Sequence, residues 1–225
     1  MYLPIYLLQT APHSHYLGLG GLVLILILSF LIGGVPFGYM AGRLKGVDIR
    51  TLGSGNIGAT NVYRNVGKSW GVAVFILDFL KAFLPVFFLL RILGNGQWEL
   101  TLLPLDVFAI LAGATIVVGH NYSVFMGFKG GKGMASSAGF IFALFPISGL
   151  VALSTFMVVF LWSKFISAGS VAAAIVLPIA TVFLYPERYW LWAVALFLGV
   201  MSVWRHRSNI QRLRAGTELR AGSKK

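Results

Sequence analysis

The sequence has no cysteine and few charged residues. Only 11% of its 225 residues are charged, and just six of them are acidic. Without cysteine the chain cannot form a disulfide, a thiolate metal site or a cysteine nucleophile. Soluble domains average roughly 25% charged residues, so the charges here are too few to cover the surface of a soluble protein.

Apolar residues dominate the composition instead. Hydrophobic residues make up 58% of the chain and aromatic residues 14%, and the mean hydropathy is +0.85, which excludes a disordered chain. The net charge of +12 would suit nucleic-acid binding. We expect no nucleic-acid partner, however, because the basic residues lie between apolar runs, where they set membrane topology or bind anions. The composition predicts a helical protein that crosses a membrane several times.

Apolar runs of about 20 residues are long enough to span a bilayer. The first is too long for a cleavable signal and follows no basic segment. The runs predicted to span are Leu19–Met40, Trp70–Leu90, Leu102–Gly119, Ile166–Leu184 and Tyr189–Trp204.

The apolar stretch Met134–Trp162 permits either one long helix or two short ones. Pro146 and Gly149 lie near its middle, where they can end a helix or only kink it. Two short helices of about 12–14 residues each would place all basic residues except Lys81, Arg91 and Arg188 on the cytoplasmic side, including those of the C-terminal tail. The positive-inside rule favours this arrangement.

We therefore predict an all-α integral membrane protein with seven transmembrane helices, two of them short. The N-terminus is expected outside and the C-terminus inside. Residues 1–18 are expected to form an extracytoplasmic leader, residues 19–204 a single membrane domain, and residues 205–225 a cytoplasmic motif and tail.

Three polar segments would then share the cytoplasmic face, and the second is rich in glycine and lysine. It runs from Gly119 to Ala135 (GHNYSVFMGFKGGKGMA). The loop Lys129–Gly133 leads directly into an expected helix at Met134, and free N–H groups at a helix N-terminus favour anions. The segment is not a Walker A motif, because Gly133 replaces the required Ser or Thr. It is either a phosphate cradle without ATP or a basic loop that only sets topology.

The first polar segment, Gly53–Arg64 (GSGNIGATNVYR), has neutral hydrogen-bonding groups beside an arginine. Arginine suits bidentate phosphate binding. Taken alone, the segment is better explained by Ser and Asn side chains that cap the following turns. Its polar members are Ser54, Asn56, Thr60, Asn61 and Arg64.

The third polar segment, Arg205–Glu218 (RHRSNIQRLRAGTE), carries His206 and Asn209 at i, i+3 spacing. If the last helix continues through them, they share one face. Arg205 and Arg207 would lower the pKa of His206 and keep it neutral. Snorkelling at a helix end explains the arginines but not the His–Asn pair.

Asp78 and Lys81 lie i, i+3 inside a predicted span, where each charge costs about 2.5–3.5 kcal/mol. We interpret them as a structural pair facing the bundle; a substrate contact is the alternative. His13, His15 and His120 have no metal-ligand spacing, so we predict no metal site.

Together, the three segments resemble the motifs of the bacterial acyl-phosphate-dependent glycerol-3-phosphate acyltransferases of the PlsY type. They occur in the family's order, over nearly the whole chain from Gly33 onward. The resemblance implies a seven-span membrane enzyme that moves a fatty acyl group from acyl phosphate to the sn-1 hydroxyl of glycerol 3-phosphate. The products would be lysophosphatidic acid and phosphate, with no cofactor and no metal.

The resemblance also implies roles for individual residues. The catalytic residues would be Ser54, Arg64, Lys132, His206 and Asn209. Substrate or phosphate would be bound by Asn56, Thr60, Asn61, Lys129, Gly130, Gly131, Gly133, Ser167, Arg205 and Arg207. Glu218 would be structural, tying the tail to a basic neighbour. The partners would be acyl phosphate, glycerol 3-phosphate and membrane lipid, and a functional link to the enzyme that supplies acyl phosphate would fit.

Direct acyl transfer is the preferred mechanism, and an acyl-Ser54 intermediate is the alternative. A transporter or exchanger of organic phosphates is the rival function, although such proteins usually bind near the midplane on broken helices and contain inverted repeats. A scaffold protein of lipid metabolism would need neither Ser54 nor His206.

Overall fold

The structure is a computed structural model that describes residues 15–94, 98–100 and 103–221. Residues 1–14 of the predicted leader and residues 222–225 of the tail lie outside the described residues. The described elements are β1 (His15–Leu17), α1 (Leu19–Gly34), α2 (Phe37–Leu44), α3 (Ala59–Asn65), α4 (Lys68–Leu93), β2 (Trp98–Leu100), α5 (Leu105–Asn121), α6 (Met134–Leu144), α7 (Pro146–Ser163), α8 (Ile166–Leu184), α9 (Tyr189–Arg205) and α10 (Arg207–Arg214), with 3₁₀ turns at Ile49–Thr51 and Val124–Met126.

Five helical segments in the described part are long and apolar enough to cross a membrane, which agrees with the predicted multi-pass helical protein. They are Leu19–Leu44, Lys68–Leu93, Val107–Met126, Pro146–Ser163 and Ile166–Leu184. The shorter apolar helices α6 and α9 pack among them, α6 against α4 and α9 against α8.

The ambiguous stretch Met134–Trp162 forms two helices, as the charge distribution favoured, but their lengths differ from the prediction. Phe145 leaves the helical conformation, and Pro146 begins α7, where its missing N–H costs no hydrogen bond. The predicted pair of equally short helices is wrong: α6 has 11 residues, whereas α7 has 18 and is long enough to span.

The first predicted span, Leu19–Met40, is not one continuous helix. It breaks at Val35 and Pro36 into α1 and α2. Proline disfavours helical geometry in the residue before it and has no N–H to donate, which explains the break at this position. At the break the Val35 carbonyl accepts from the Phe37 N–H at 3.2 Å instead of from a helical donor, and its second lone pair can accept a hydrogen bond from another helix.

The all-α prediction missed one short sheet. β1 and β2 pair in parallel, with His15 opposite Trp98 and Leu17 opposite Leu100. Each strand has three residues, too few for a recognisable alternation of apolar and polar side chains. The pair joins the segment before α1 to the segment before α5.

The apolar core lies where α4, α5, α6, α8 and α9 meet, and it includes Val86, Ile116, Phe140 and Leu198. α6 approaches α4 closely at Gly139, where a side chain would collide with the Phe79 backbone. Small residues permit such contacts between membrane helices. Near the start of α6 the Ser136 hydroxyl donates to Asp78 O on α4, and α6 also contacts α5, so the N-terminal end of α6 is held beside these two helices.

Candidate active site

The three polar segments meet at one cavity of about 620 Å³. All five residues assigned catalytic roles by resemblance line it, although they lie up to about 150 residues apart in the chain. Its polar lining comprises Ser54, Asn56, Thr60, Asn61, Arg64, Asp78, His120, Lys132, Ser137, Ser167, Ser170, Ser202, His206, Asn209, Arg212, Thr217 and Glu218.

In the first segment, the amide of Asn61 organises the loop itself. Its Nδ2 donates to the carbonyl oxygens of Ile49, Leu52 and Asn56 at 2.9–3.1 Å, and its Oδ1 accepts from the Ser54 N–H at 3.2 Å. The Asn56 side chain likewise accepts from the N–H that begins the next turn, as the capping interpretation expected. These amides position Ser54, and Asn61 is committed to backbone groups rather than to a ligand.

In the second segment, the glycine loop bonds back to the end of α5 instead of presenting its N–H groups to the cavity. The Gly130 N–H donates to Asn121 O at 3.2 Å, and the Gly131 N–H donates to His120 O at 3.0 Å. The Arg205 guanidinium holds the other side of the loop, donating to Gly131 O at 2.5 Å and to Gly130 O at 3.1 Å. The N–H groups of Gly130 and Gly131 are therefore not available to the phosphate cradle that was one of the two interpretations of this loop.

The end of this loop does reach the cavity. Gly133 adopts a left-handed conformation with φ of +78° and caps α6, so that Lys132, Gly133 and the first residues of α6 line the cavity. The unpaired N–H groups of a helix N-terminus favour anions there. Several residues predicted to bind phosphate do not line the cavity: Lys129, Gly130, Gly131, Arg205 and Arg207. Lys129 is exposed, and Arg207 stacks on the Trp204 ring at 4.8 Å.

A chain of polar side chains joins the second and third segments. The Lys132 ammonium donates to Asn209 Oδ1, and Asn209 Nδ2 donates to Glu218 Oε1 at 2.6 Å. The Ser167 hydroxyl also donates to this oxygen, at 2.8 Å, while Arg212 Nε donates to Glu218 Oε2 at 2.7 Å. Glu218 therefore ties the tail to α8 and α10, with Arg212 as its basic neighbour.

Burial and positive charge set the protonation of this network. Burial, followed by the Arg212 charge, lowers the pKa of Lys132 to about 8. Burial alone would raise the pKa of Glu218, but hydrogen bonds from Asn209, Ser167 and Arg212 outweigh it and lower that pKa. Near neutral pH the lysine is thus mostly protonated and the carboxylate is ionised.

His206 is held as a neutral hydrogen-bond acceptor. Its Nδ1 lies 2.8 Å from Ser202 O, so this nitrogen carries the hydrogen and Nε2 keeps its lone pair. Burial, reinforced by the Lys132 charge, lowers the pKa of His206 to about 4. His206 lies at the junction of α9 and α10 rather than within one continuous helix, yet it and Asn209 both line the cavity.

Arg64 contacts the tail that follows α10. Its Nη2 donates to Leu219 O at 3.1 Å and to Arg220 O at 3.3 Å. Burial lowers the pKa of the half-buried guanidinium, and Glu218 opposes this effect. The guanidinium still lines the cavity together with Lys132 and Arg212, so three cationic side chains converge there.

Asp78 and Lys81 form an ion pair at 2.7 Å inside the bundle. The Lys81 ammonium also donates to Val35 O at the α1–α2 break and to His120 Nδ1, both at 2.9 Å. His120 is buried, and its ring packs so tightly against Gly131 that no side chain fits there. Sequence patterns do not reveal this role of His120, because it depends on the tertiary contact with α4.

Arg212 also lines the cavity, and the sequence predicted no role for it. Its position within the third polar segment was the available signal, but the sequence does not distinguish it from its arginine neighbours. Among the described residues no group of three or more His, Asp or Glu side chains could hold a metal ion.

Comparisons with known proteins agree with the three motifs. Residues 23–216 match the family model described as glycerol-3-phosphate acyltransferase. A glycerol-3-phosphate acyltransferase of Aquifex aeolicus is 41% identical over 198 residues, which cover 87% of this chain and 97% of that protein. Glycerol-3-phosphate acyltransferase 1 of Deinococcus radiodurans is 43% identical over 203 residues, covering 90% and 96%.

The fold is also similar to that of a solved membrane enzyme. The glycerol 3-phosphate form of PlsY (YgiH), described as an integral membrane glycerol 3-phosphate acyltransferase, matches with a TM-score of 0.81 at 38% identity, over 90% of this chain and 96% of that one. Its lysophosphatidic acid form matches over the same shares with a TM-score of 0.78. This chain belongs to the glycerol-3-phosphate acyltransferase family.

Proposed function

We propose that the protein transfers a fatty acyl group from acyl phosphate to the sn-1 hydroxyl of glycerol 3-phosphate. The products are lysophosphatidic acid and inorganic phosphate, and the reaction begins phospholipid synthesis. The observation that carries the proposal is the convergence of Arg64, Lys132 and Arg212 on one cavity that continues into an apolar arm. Such a cavity suits substrates with phosphate at one end and an acyl chain at the other.

The cations offset the repulsion between the two substrates. Two dianions held about 6 Å apart repel by about 11 kcal/mol at an effective dielectric constant of about 20. Fixed positive charges and the N-terminus of α6 reduce this cost without reorganising during the reaction. Asn56, Thr60 and Asn61 support the phosphate site, Asn56 and Asn61 chiefly by shaping the loop that carries Ser54.

Direct transfer needs little more than alignment. Acyl phosphate is already activated, and the acceptor hydroxyl must lie about 3–3.5 Å from the carbonyl carbon. His206 Nε2 accepts from the glycerol moiety, Asn209 is aligned by Lys132 and Glu218, and a phosphate oxygen of the donor takes the hydroxyl proton. An acyl-Ser54 intermediate is the alternative, and an acyl adduct detected by intact-mass measurement with donor alone would favour it.

The same proposal places the active site on the cytoplasmic side of the bacterial inner membrane. The seven crossings comprise the five long helical segments together with α6 and α9, with the N-terminus outside and the C-terminus inside. The support is the clustering of basic residues in the loops that carry the three motifs. Residues 1–18 would form the external leader, and residues 205–225 the cytoplasmic motif and tail.

Labelling can test this orientation directly, because an introduced cysteine is the sole thiol of the chain. Cysteine at Lys68, Lys129 or Arg214, one position for each cytoplasmic segment, should react with an impermeant maleimide only in inverted vesicles. Labelling of any of them in right-side-out vesicles would contradict the proposed orientation.

The activity is tested with the protein purified in detergent. Phosphate release that requires both palmitoyl phosphate and glycerol 3-phosphate, with formation of lysophosphatidic acid, is the expected result. Uptake of glycerol 3-phosphate by proteoliposomes without acylation would instead support the transporter alternative. Acylation by acyl-CoA but not by acyl phosphate would contradict the proposed donor.

A further inference from the structure

The cavity extends from its polar end into an apolar arm between α7 and α8. On α8 the lining residues succeed one another along one face: Ser167, Ser170, Ala173, Ala174 and Leu177. On α7, which runs in the opposite direction, they are Phe160, Phe156, Leu153, Ala152 and Gly149. Ser167 marks the polar end, because its hydroxyl donates to Glu218.

The inner end of this arm is closed by the protein core. Ile141, Leu177 and Leu198 line it and are 7%, 3% and 1% exposed. α6 and α7 are in contact there, since a Cβ on Gly149 would lie 3.0 Å from Ile141 Cγ2. The arm therefore ends inside the helix bundle.

The outer side of the arm is open. Phe75 and Leu153 also line the cavity, yet they are 49% and 47% exposed. Apolar chains can thus enter sideways from lipid between α4 and α7. A long chain could therefore lie in two places: within the arm toward its closed inner end, or through the open side in the lipid.

The length of the arm can be compared with that of an acyl chain. Ser167 and Leu177 are ten residues apart on α8, which at about 1.5 Å per residue gives about 15 Å. An extended hydrocarbon advances roughly 1.3 Å per carbon for bonds of about 1.5 Å, so the arm holds roughly twelve carbons.

We propose that Ala152 and Ala173 set how many carbons of the acyl chain the closed arm holds. The inference rests on the proposed acyltransferase function, which supplies the occupant of the arm. Both residues line the cavity and are nearly buried, at 9% and 7% exposed, on the two helices that form its walls. Their methyl groups leave open the space that a larger side chain would fill.

Enlarging Ala173 should shorten the arm by a predictable amount. Ala173 lies six residues beyond Ser167 on α8, or about 9 Å at 1.5 Å per residue. An isopropyl group there would leave room for roughly seven carbons. Excluding even one or two methylenes from an apolar pocket costs about tenfold in specificity.

The experiment compares hexanoyl, lauroyl and palmitoyl phosphate as donors to glycerol 3-phosphate, with kcat/KM measured for each. In the wild-type protein, kcat/KM should rise from hexanoyl to lauroyl and change little from lauroyl to palmitoyl. Ala173→Leu should lower the lauroyl value by about tenfold or more and retain the hexanoyl value. Ala152→Leu, on the opposite wall, should act in the same direction.

Ser154→Leu is the matched control, because Ser154 lies on α7, is exposed, and does not line the cavity. Its chain-length profile should equal that of the wild type. Activity with hexanoyl phosphate shows that each variant is folded, and if Ala173→Leu fails to fold then Ala152→Leu decides the question. A wild-type profile in the decisive variant, or an equal loss with every donor, would overturn the proposal. Failure of the wild type with every acyl phosphate would instead reject the proposed function itself.

Discussion

Replacing Lys132 by methionine removes the positive charge nearest the N-terminus of α6 while keeping a side chain of similar length. In the structure this ammonium is partly buried, donates to Asn209 Oδ1 and lines the cavity. A substrate phosphate entering the cavity is expected to accept a hydrogen bond from the same ammonium. The variant should therefore lose binding and transition-state stabilisation but keep the fold.

The size of the effect follows from the kind of contact. A hydrogen bond to a charged group contributes about 1.5–3 kcal/mol, which corresponds to about a 10- to 150-fold decrease in kcat/KM.

The charge of Lys132 also predicts a pH dependence. The pKa of Lys132 is lowered to about 8, so the active, protonated form is present below this pH, and kcat/KM should fall as the pH rises through it.

The assay is phosphate release from palmitoyl phosphate, dependent on glycerol 3-phosphate, measured as kcat/KM against pH. Lys129→Met is the matched control, because Lys129 lies three residues earlier in the same loop but is exposed and outside the cavity lining. It should retain wild-type activity and its fall above pH 8, whereas Lys132→Met should lack that fall. Equal losses in the two variants, or a stronger loss in Lys129→Met, would refute the assignment of Lys132.

Three further predictions concern other parts of the site. His206→Asn keeps a donor for Ser202 O but removes the acceptor at Nε2, so kcat/KM should fall about 100-fold, and unchanged kinetics would contradict the role of His206. In the wild type, activity should also fall as the pH decreases through about 4, because His206 then gains a proton. Lys81→Met leaves the buried Asp78 without its cation and should lower the free energy of unfolding, measured by denaturation in detergent, by about 3–5 kcal/mol. The double variant Lys81→Met/Asp78→Asn should recover part of this loss. No recovery would argue against the ion pair. Direct transfer predicts that the intact mass of the wild type stays unchanged with acyl phosphate alone, and a mass increase abolished by Ser54→Ala would establish the acyl-enzyme instead.

The positions of the helices were largely predictable, because a bilayer demands long apolar runs. α8 has the predicted bounds, and the charge distribution correctly favoured a split in Met134–Trp162. The break at Pro36 was not predicted, because the length of the apolar run Leu19–Met40 is the same whether its helix is continuous or broken. Proline is tolerated in membrane helices when other groups satisfy the carbonyls left without helical donors. At this break the Val35 N–H donates to Ile32 O, and Lys81 donates to Val35 O.

The members of the site were easier to predict than their individual contacts. The three motifs identified Ser54, Lys132 and His206, all of which line one cavity. The sequence could not show that the loop glycines bond to α5, or that Arg205 holds this loop from α9. These contacts join residues far apart in the chain and depend on how helix ends meet, which local patterns do not encode.

The central claim is that three distant polar segments form one site for both phosphates. An experimental structure with glycerol 3-phosphate and a non-hydrolysable acyl phosphonate bound together would test it most directly. The account predicts both phosphorus-bearing groups among Arg64, Lys132 and Arg212, with the glycerol sn-1 hydroxyl beside His206 Nε2 and the chain in the arm between α7 and α8. A phosphorus-bearing group bound elsewhere would contradict the account, and so would a glycerol sn-1 hydroxyl remote from the acyl carbonyl.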